Sequence, residues 1–186
     1  MKVAIFCGSS SGKNPDFVRA STHLGHALAA DGVELVYGGG KVGLMGAVAD
    51  AFLEKGGRVY GVIPQHLKDR EIAHQGLTHL KVVSDMHERK SAMAFMADAF
   101  VALPGGSGTL EEIFEAWTWA QLGHHAKPCA FYNINGFYDP LLEMISKMSD
   151  SGFLKEEYAR MLIHTDNPQT LLAAIKSYTP PKQKWT

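Results

Sequence analysis

Three stretches of this 186-residue chain are built to present bare backbone amides. They are Gly8-Ser9-Ser10-Ser11-Gly12, Gly38-Gly39-Gly40-Lys41-Val42-Gly43-Leu44-Met45-Gly46 and Pro104-Gly105-Gly106-Ser107-Gly108-Thr109-Leu110-Glu111-Glu112. Glycine lets the main chain approach a phosphate and aim its N–H groups at it. A helix that follows directly adds its positive N-terminal end. In the third stretch Gly105, Gly106 and Gly108 are spaced to wrap an anionic group, with the Thr109 hydroxyl in the first helical turn. A tight connection with a threonine N-cap would use the same residues, but three such turns in one chain favour an anion site. The second stretch holds Gly38-x-Gly40-x-x-Gly43, a dinucleotide-like spacing. No acidic residue closes the next strand near Ile63 to hold a ribose hydroxyl, so a nicotinamide dinucleotide is not expected.

Charged side chains stand beside these turns. Glu111 and Glu112 fall in the first turn of the helix expected from about Gly108, where the dipole favours acids. Consecutive helical positions point about 100° apart, so one of the two faces the turn. The spacing leaves both open. Upstream, Asp85-Met86-His87-Glu88-Arg89-Lys90 begins another helical pattern. A basic residue in a first turn opposes the helix dipole, so an anion is expected to face Arg89, either a phosphate or a departing base. The nine histidines include His74, His79 and the pair His124-His125, but none has metal-ligand spacing and no cysteine set joins them, so no metal is expected. Lys41 and Lys90 invite a Schiff-base reading with pyridoxal phosphate; no pyridinium partner is evident, and no cofactor is expected.

The elements that must carry these residues alternate in type. Short apolar runs at Val3 to Cys7, Val33 to Tyr37, Val59 to Ile63, Leu80 to Val83, Ala99 to Leu103 and Cys129 to Tyr132 read as strands covered on both faces. Helical patterns lie between them, at Asp16 to Ala30, Leu44 to Lys55, Glu88 to Ala97 and Leu110 to Leu122. This alternation predicts an α/β fold, a doubly wound parallel sheet with helices on both faces. All three glycine turns then emerge at one carboxyl edge. The stretch Pro64 to His79 has little periodicity and reads as a functional loop with a short turn of helix. A single domain is expected over 1–178, with 179–186 a loosely held tail after Pro180-Pro181.

Composition excludes several classes. Apolar residues make up 46% and charged residues 20%, an ordinary globular balance, and the net charge of -1 offers nothing to nucleic acid or an acidic membrane. The apolar run at the N-terminus is too short for a signal peptide, and no run approaches the roughly 20 residues of a membrane span. Cys7 and Cys129 read as small core residues, and a cytoplasmic setting is expected.

Pro104 to Glu112 matches a PGGxGTxxE signature, and Arg89-Lys90 stands fifteen residues before Pro104. Together with Phe6-Cys7-Gly8-Ser9-Ser10, Gly38-Gly39-Gly40 and Trp119-Ala120-Gln121-Leu122-Gly123, these segments resemble the LOG ("Lonely guy") family of cytokinin-activating phosphoribohydrolases, many of them long labelled lysine decarboxylases. The resemblance implies a Rossmann-like homodimer that hydrolyses the N-glycosidic bond of AMP or N6-substituted AMP, a purine nucleoside 5′-monophosphate. It implies Glu112 rather than Glu111 as the catalytic acid and Arg89 as its catalytic partner. It further implies Met86, Lys90 and Glu71 beside the substrate, with Gly105, Gly106, Gly108 and Thr109 on the phosphate. Ser107 departs from the pattern, since plant members carry an aromatic residue there. The alternatives are a nucleotide-binding module without hydrolysis and a pyridoxal-phosphate lysine decarboxylase. Of Trp117 and Trp119, one is expected to face inward; an exposed one would suit a subunit interface.

Overall fold

Val3, Ala4, Ile5 and Phe6 are all buried, so the first strand needs cover above and below. The computed structural model, which describes residues 1–70 and 72–182, provides it with one seven-stranded parallel sheet between two helical layers. In chain order the elements are β1 (Lys2–Phe6), α1 (Asp16–Ala30), β2 (Glu34–Tyr37), α2 (Gly43–Glu54), β3 (Val59–Pro64), α3 (Gln65–Lys68), β4 (His79–Val83) and α4 (Met86–Met96). There follow β5 (Ala99–Ala102), α5 (Ser107–Gln121), β6 (Cys129–Tyr132), α6 (Asp139–Asp150), α7 (Glu156–Ala159), β7 (Leu162–Thr165) and α8 (Pro168–Ser177).

The strand order is β4-β3-β2-β1-β5-β6-β7. From β1 the chain steps outward to β4, then returns past β1 to lay down β5, β6 and β7. β1 and β5 pair from Val3↔Ala99 to Phe6↔Ala102. The connections leave these two neighbours in opposite directions, which opens a crevice at their carboxyl ends. Strand side chains alternate between the faces. Val3 and Ile5 pack with Leu24 and Leu28 of α1, Val48 and Phe52 of α2 and Leu171 of α8. Ala4 and Phe6 pack on the opposite face with Met93 of α4, Ile113 and Trp117 of α5 and Ile145 of α6. Trp117 is the inward one of its pair, and its indole N–H donates to Tyr158 O at 3.1 Å.

Two expectations need correction, and the fold continues past the elements outlined from sequence. β4 is not covered on both faces: His79 and Lys81 are exposed while Leu80 and Val82 are half-buried, because an outermost strand is screened on one side. β7 and the helices α6 to α8 extend the fold beyond β6 in segments that interleave polar with apolar residues. α5 starts at Ser107 with Gly106 in extended conformation before it, so Glu111 and Glu112 stand in the second helical turn. At the C-terminus α8 ends at Ser177, ahead of Pro180 and Pro181. Of the expected tail, residues 179–182 have no regular structure, and residues 183–186 lie outside the described residues.

Candidate active site

The carboxyl ends of β1, β2, β3, β4 and β5 converge on a cleft of about 470 Å³. A larger hollow, about 960 Å³, opens among α6, α7 and β7, but none of the described candidate residues reaches it. In the cleft the three glycine turns are hydrogen-bonded to one another. Gly8 N–H donates to Pro104 O at 3.0 Å, and Leu44 N–H donates to Gly8 O at 3.1 Å. Among the described residues neither α2 nor α5 has a side-chain cap; Leu44 N–H of α2 is taken by Gly8 O, while the first-turn amides of α5 are left for an anion. α4 differs: Asp85 accepts from Glu88 N–H at 2.8 Å, and Glu88 accepts from Ser84 N–H at 2.8 Å. These backbone bonds hold both carboxyls below their usual values, and this end of α4 is closed to a ligand.

Gly106, Gly108 and Thr109 line the cleft, with Ser107 between them. Gly105 does not; it lies behind, where a Cβ would stand 2.1 Å from Thr109 Oγ1 and 2.9 Å from Gly8 N. Its bareness lets the first and third turns meet. Met86 and Arg89 line the cleft from α4. Glu71 lies outside the described residues.

Arg89 is held at three points. Its Nε donates to Val62 O at 3.2 Å, Nη1 sits 3.6 Å from Met86 Sδ, and Nη1 stands 3.3 Å from Glu112 Oε1. In the structure the anion beside Arg89 is the Glu112 carboxylate. Their side chains are only 11% and 8% exposed. Glu111 also borders the cleft, but its side chain is 54% exposed and bonded to Lys90 while that of Glu112 is buried against Arg89, which separates two acids that spacing alone left equivalent. Glu112 Oε1, although within ion-pair range of Arg89, has no partner in hydrogen-bond geometry among the described residues. Burial raises the Glu112 pKa, and the Arg89 cation opposes that rise. The result is a carboxylate that is poorly solvated, has a free acceptor oxygen and faces the cleft.

Lys90 is placed elsewhere. It is absent from the cleft lining, and its ammonium bonds Glu111 Oε1 at 2.5 Å and Glu115 Oε2 at 3.1 Å. Burial pulls its pKa down, but the two carboxylates outweigh this and raise it. A lysine held so firmly charged is the reverse of the neutral amine that Schiff-base chemistry needs.

The residues that sequence reasoning missed form the apolar wall: Met45 on α2, Ile63 on β3, Leu67 on α3, and Ile72 beyond it. Their types are those of any core. The available signal was position: Ile63 lies at the carboxyl end of β3, Leu67 and Ile72 follow that strand, and Met45 stands in the first turn of α2 within the second glycine stretch. Cys7, read as core, is buried but also borders the cleft. Burial, with the nearby Glu112 charge, pushes its thiol pKa up and keeps it protonated.

A family model described as possible lysine decarboxylase matches residues 45–175. The cytokinin riboside 5′-monophosphate phosphoribohydrolase LOG7 of Arabidopsis thaliana is 47% identical over 179 residues, which is 96% of this chain and 82% of that protein. The enzyme named LOG from Oryza sativa subsp. japonica is 44% identical over 96% of this chain and 74% of its own. Among solved structures, the molybdenum cofactor carrier protein of Chlamydomonas reinhardtii superposes with a TM-score of 0.70 at 19% identity, covering 94% of this chain and 95% of that one. That last likeness is one of fold alone.

Proposed function

The chain belongs to the LOG family of cytokinin riboside 5′-monophosphate phosphoribohydrolases, and from that premise we propose that it hydrolyses the base–ribose bond of AMP or N6-substituted AMP, releasing free base and ribose 5-phosphate. One observation carries the mechanism: Glu112 offers the cleft a buried carboxylate oxygen that has no hydrogen-bond partner among the described residues. Toward β1 and β5 lie the uncapped helix end and glycine turns, which suit a phosphate. Toward β3 lie Ile63, Leu67 and Ile72, which suit a flat apolar base. A nucleotide spanning the two puts its ribose at Glu112.

As the C1′–N bond breaks, positive charge builds on the ribose and negative charge on the leaving base. The Glu112 carboxylate stabilises the oxocarbenium-like centre and orients the attacking water, as glycosidase carboxylates do. Water adds its oxygen to C1′, and its proton goes to the departing base. Arg89 fixes the carboxylate and offsets charge developing on the base.

Chromatographic detection of free base tests this directly. Incubated with AMP, N6-isopentenyl-AMP and the matching nucleosides, the protein is expected to release base from the monophosphates only. Binding of the monophosphates with no base release would sink the hydrolase reading in favour of a nucleotide-binding module.

Gly38→Ala probes how Arg89 is aimed. A Cβ at position 38 would stand 2.1 Å from Arg89 Nη2. The guanidinium is the end of a flexible chain, so the fold accommodates the change while the arginine moves. A shift of that kind near reacting groups lowers rate by on the order of 100-fold. We expect a loss of roughly that size with circular dichroism unchanged; full activity would mean that the placement of Arg89 does not matter.

The same reading includes a second copy of the chain as partner. Phe95 on α4 is almost fully exposed and Trp119 on α5 is half-buried, an apolar surface that a homodimer would cover. Light scattering should report the mass of two chains; the mass of one chain would reject the dimer.

A further inference from the structure

Ile72 contributes to the apolar wall yet belongs to no helix or strand. Residues 72–78 carry it, a segment tied down at few points. Lys41 N–H donates to Ile72 O at 2.8 Å and His74 N–H donates to Gly39 O at 2.9 Å, with an antiparallel bridge between Gly40 and Ala73. At the far end Val59 N–H donates to Thr78 Oγ1 at 2.9 Å. Between these anchors Leu77 packs against the core, and among the described residues His74 is the side chain that hydrogen-bonds the segment to α2. His74, 13% exposed, sets its Nε2 2.9 Å from Asp50 Oδ1. Its Nδ1 accepts from Gly76 N–H at 3.0 Å. A nitrogen that accepts carries no proton, so the ring proton is on Nε2 and is donated to Asp50. Asp50 stands on α2, the helix that also supplies Met45 to the wall.

We propose that His74 and Asp50 are a positioning pair for base recognition: their bond holds residues 72–78 against α2 and so keeps Ile72 in the wall that receives the base. The proposal rests on the reading above that the base lies against this wall. A segment without regular structure gains backbone freedom when a tether is cut. Apparent affinity then falls in proportion to the fraction of molecules in which the wall is in place. The phosphate end is held by backbone bonds among the glycine turns, Gly8 to Pro104 and Leu44 to Gly8, that involve neither side chain. Loss of the pair should therefore weaken the grip on the base and spare the grip on ribose 5-phosphate.

His74→Ala is expected to raise KM for AMP and N6-isopentenyl-AMP about fivefold, the worth of roughly one net hydrogen bond. kcat should change by less than about twofold, and the inhibition constant of ribose 5-phosphate should stay at its wild-type value. Asp50→Ala should reproduce this result, and the double variant should be no worse than either single one. Asp50→Asn keeps an oxygen that can accept from Nε2–H and should behave like wild type. Unchanged KM in both alanine variants would overturn the proposal. So would an equal rise in KM and in the ribose 5-phosphate constant, which would mean a general loosening of the fold. If the wild-type protein binds AMP but releases no base, the hydrolase reading fails and the pair is judged by calorimetry. Weakened AMP binding with ribose 5-phosphate binding retained in His74→Ala would uphold it, and equal binding of AMP by the variant and wild type would reject it.

Discussion

Glu112→Gln is expected to lower base release by at least about 100-fold while nucleotide still binds, because the change removes a charge that matters most in the transition state. Glutamine has the same shape and keeps an acceptor oxygen, so the cleft should survive. The pH dependence separates charge from shape. Burial raises the folded-state pKa of Glu112, so the folded chain holds that proton more tightly than the unfolded chain does. Its contribution to stability is full below the unfolded pKa and is lost as pH rises through the raised one. The active form is the ionised one. Wild-type kcat/KM should therefore fall in acid along a limb that lies above the ordinary glutamate range. Stability should decline over the same interval as pH increases. Glu112→Gln should flatten both curves. Turnover near the wild-type level in this variant would remove Glu112 from the chemistry.

Arg89→Met is expected to lower the rate at neutral pH by about 1000-fold, the upper range for losing one preorganised electrostatic group. It should also cost stability. Removing one member of a buried pair leaves the other charge without compensation, at about 3–5 kcal/mol. Arg89 now opposes the raised pKa of Glu112, so its loss should push that pKa higher and move the acid limb to higher pH. Protonation of Glu112 relieves the unpaired charge, so the melting temperature of the variant should recover as pH falls. Arg89→Lys keeps the cation but loses the fork that reaches Val62 O and Glu112 together, and should fall between. An acid limb that stays in place in Arg89→Met would show that the two side chains are not electrostatically coupled.

The parts of this fold that could be read from sequence were those where one physical demand dominates. β1 through β6 sit between two helical layers, and with β4 excepted their apolar runs say so. β7 is no shorter than β2, β5 or β6, but His164 is exposed and Ile163 and Thr165 are half-buried, and a strand without an apolar run looks like a loop. Glycine turns were visible because few residues tolerate close backbone approach. Lys90 was placed with the nucleotide by resemblance, whereas its partners Glu111 and Glu115 lie 21 and 25 residues further along, a pairing that only the packing of α4 on α5 creates. The apolar wall was invisible for a different reason. Met45, Ile63, Leu67 and Ile72 are chosen for contact with an apolar surface, and neither residue type nor spacing tells whether that surface is protein or ligand.

The central position of β1 bears on how the chain is made. Its β2 side can be satisfied early, but its β5 side waits for residues 99–102, and Lys2 N–H meets Asp98 Oδ2 across 96 residues of chain. During synthesis the N-terminal portion emerges first. A half-made protein holding β1 to β4 therefore carries an apolar central strand with one row of backbone groups unpaired, a template for wrong partners. The cleft does not exist at that stage, because Gly106, Thr109 and Glu112 have not yet arrived. Ligand cannot rescue the nascent sheet, so the interval between β4 and β5 is where chaperones would find this protein.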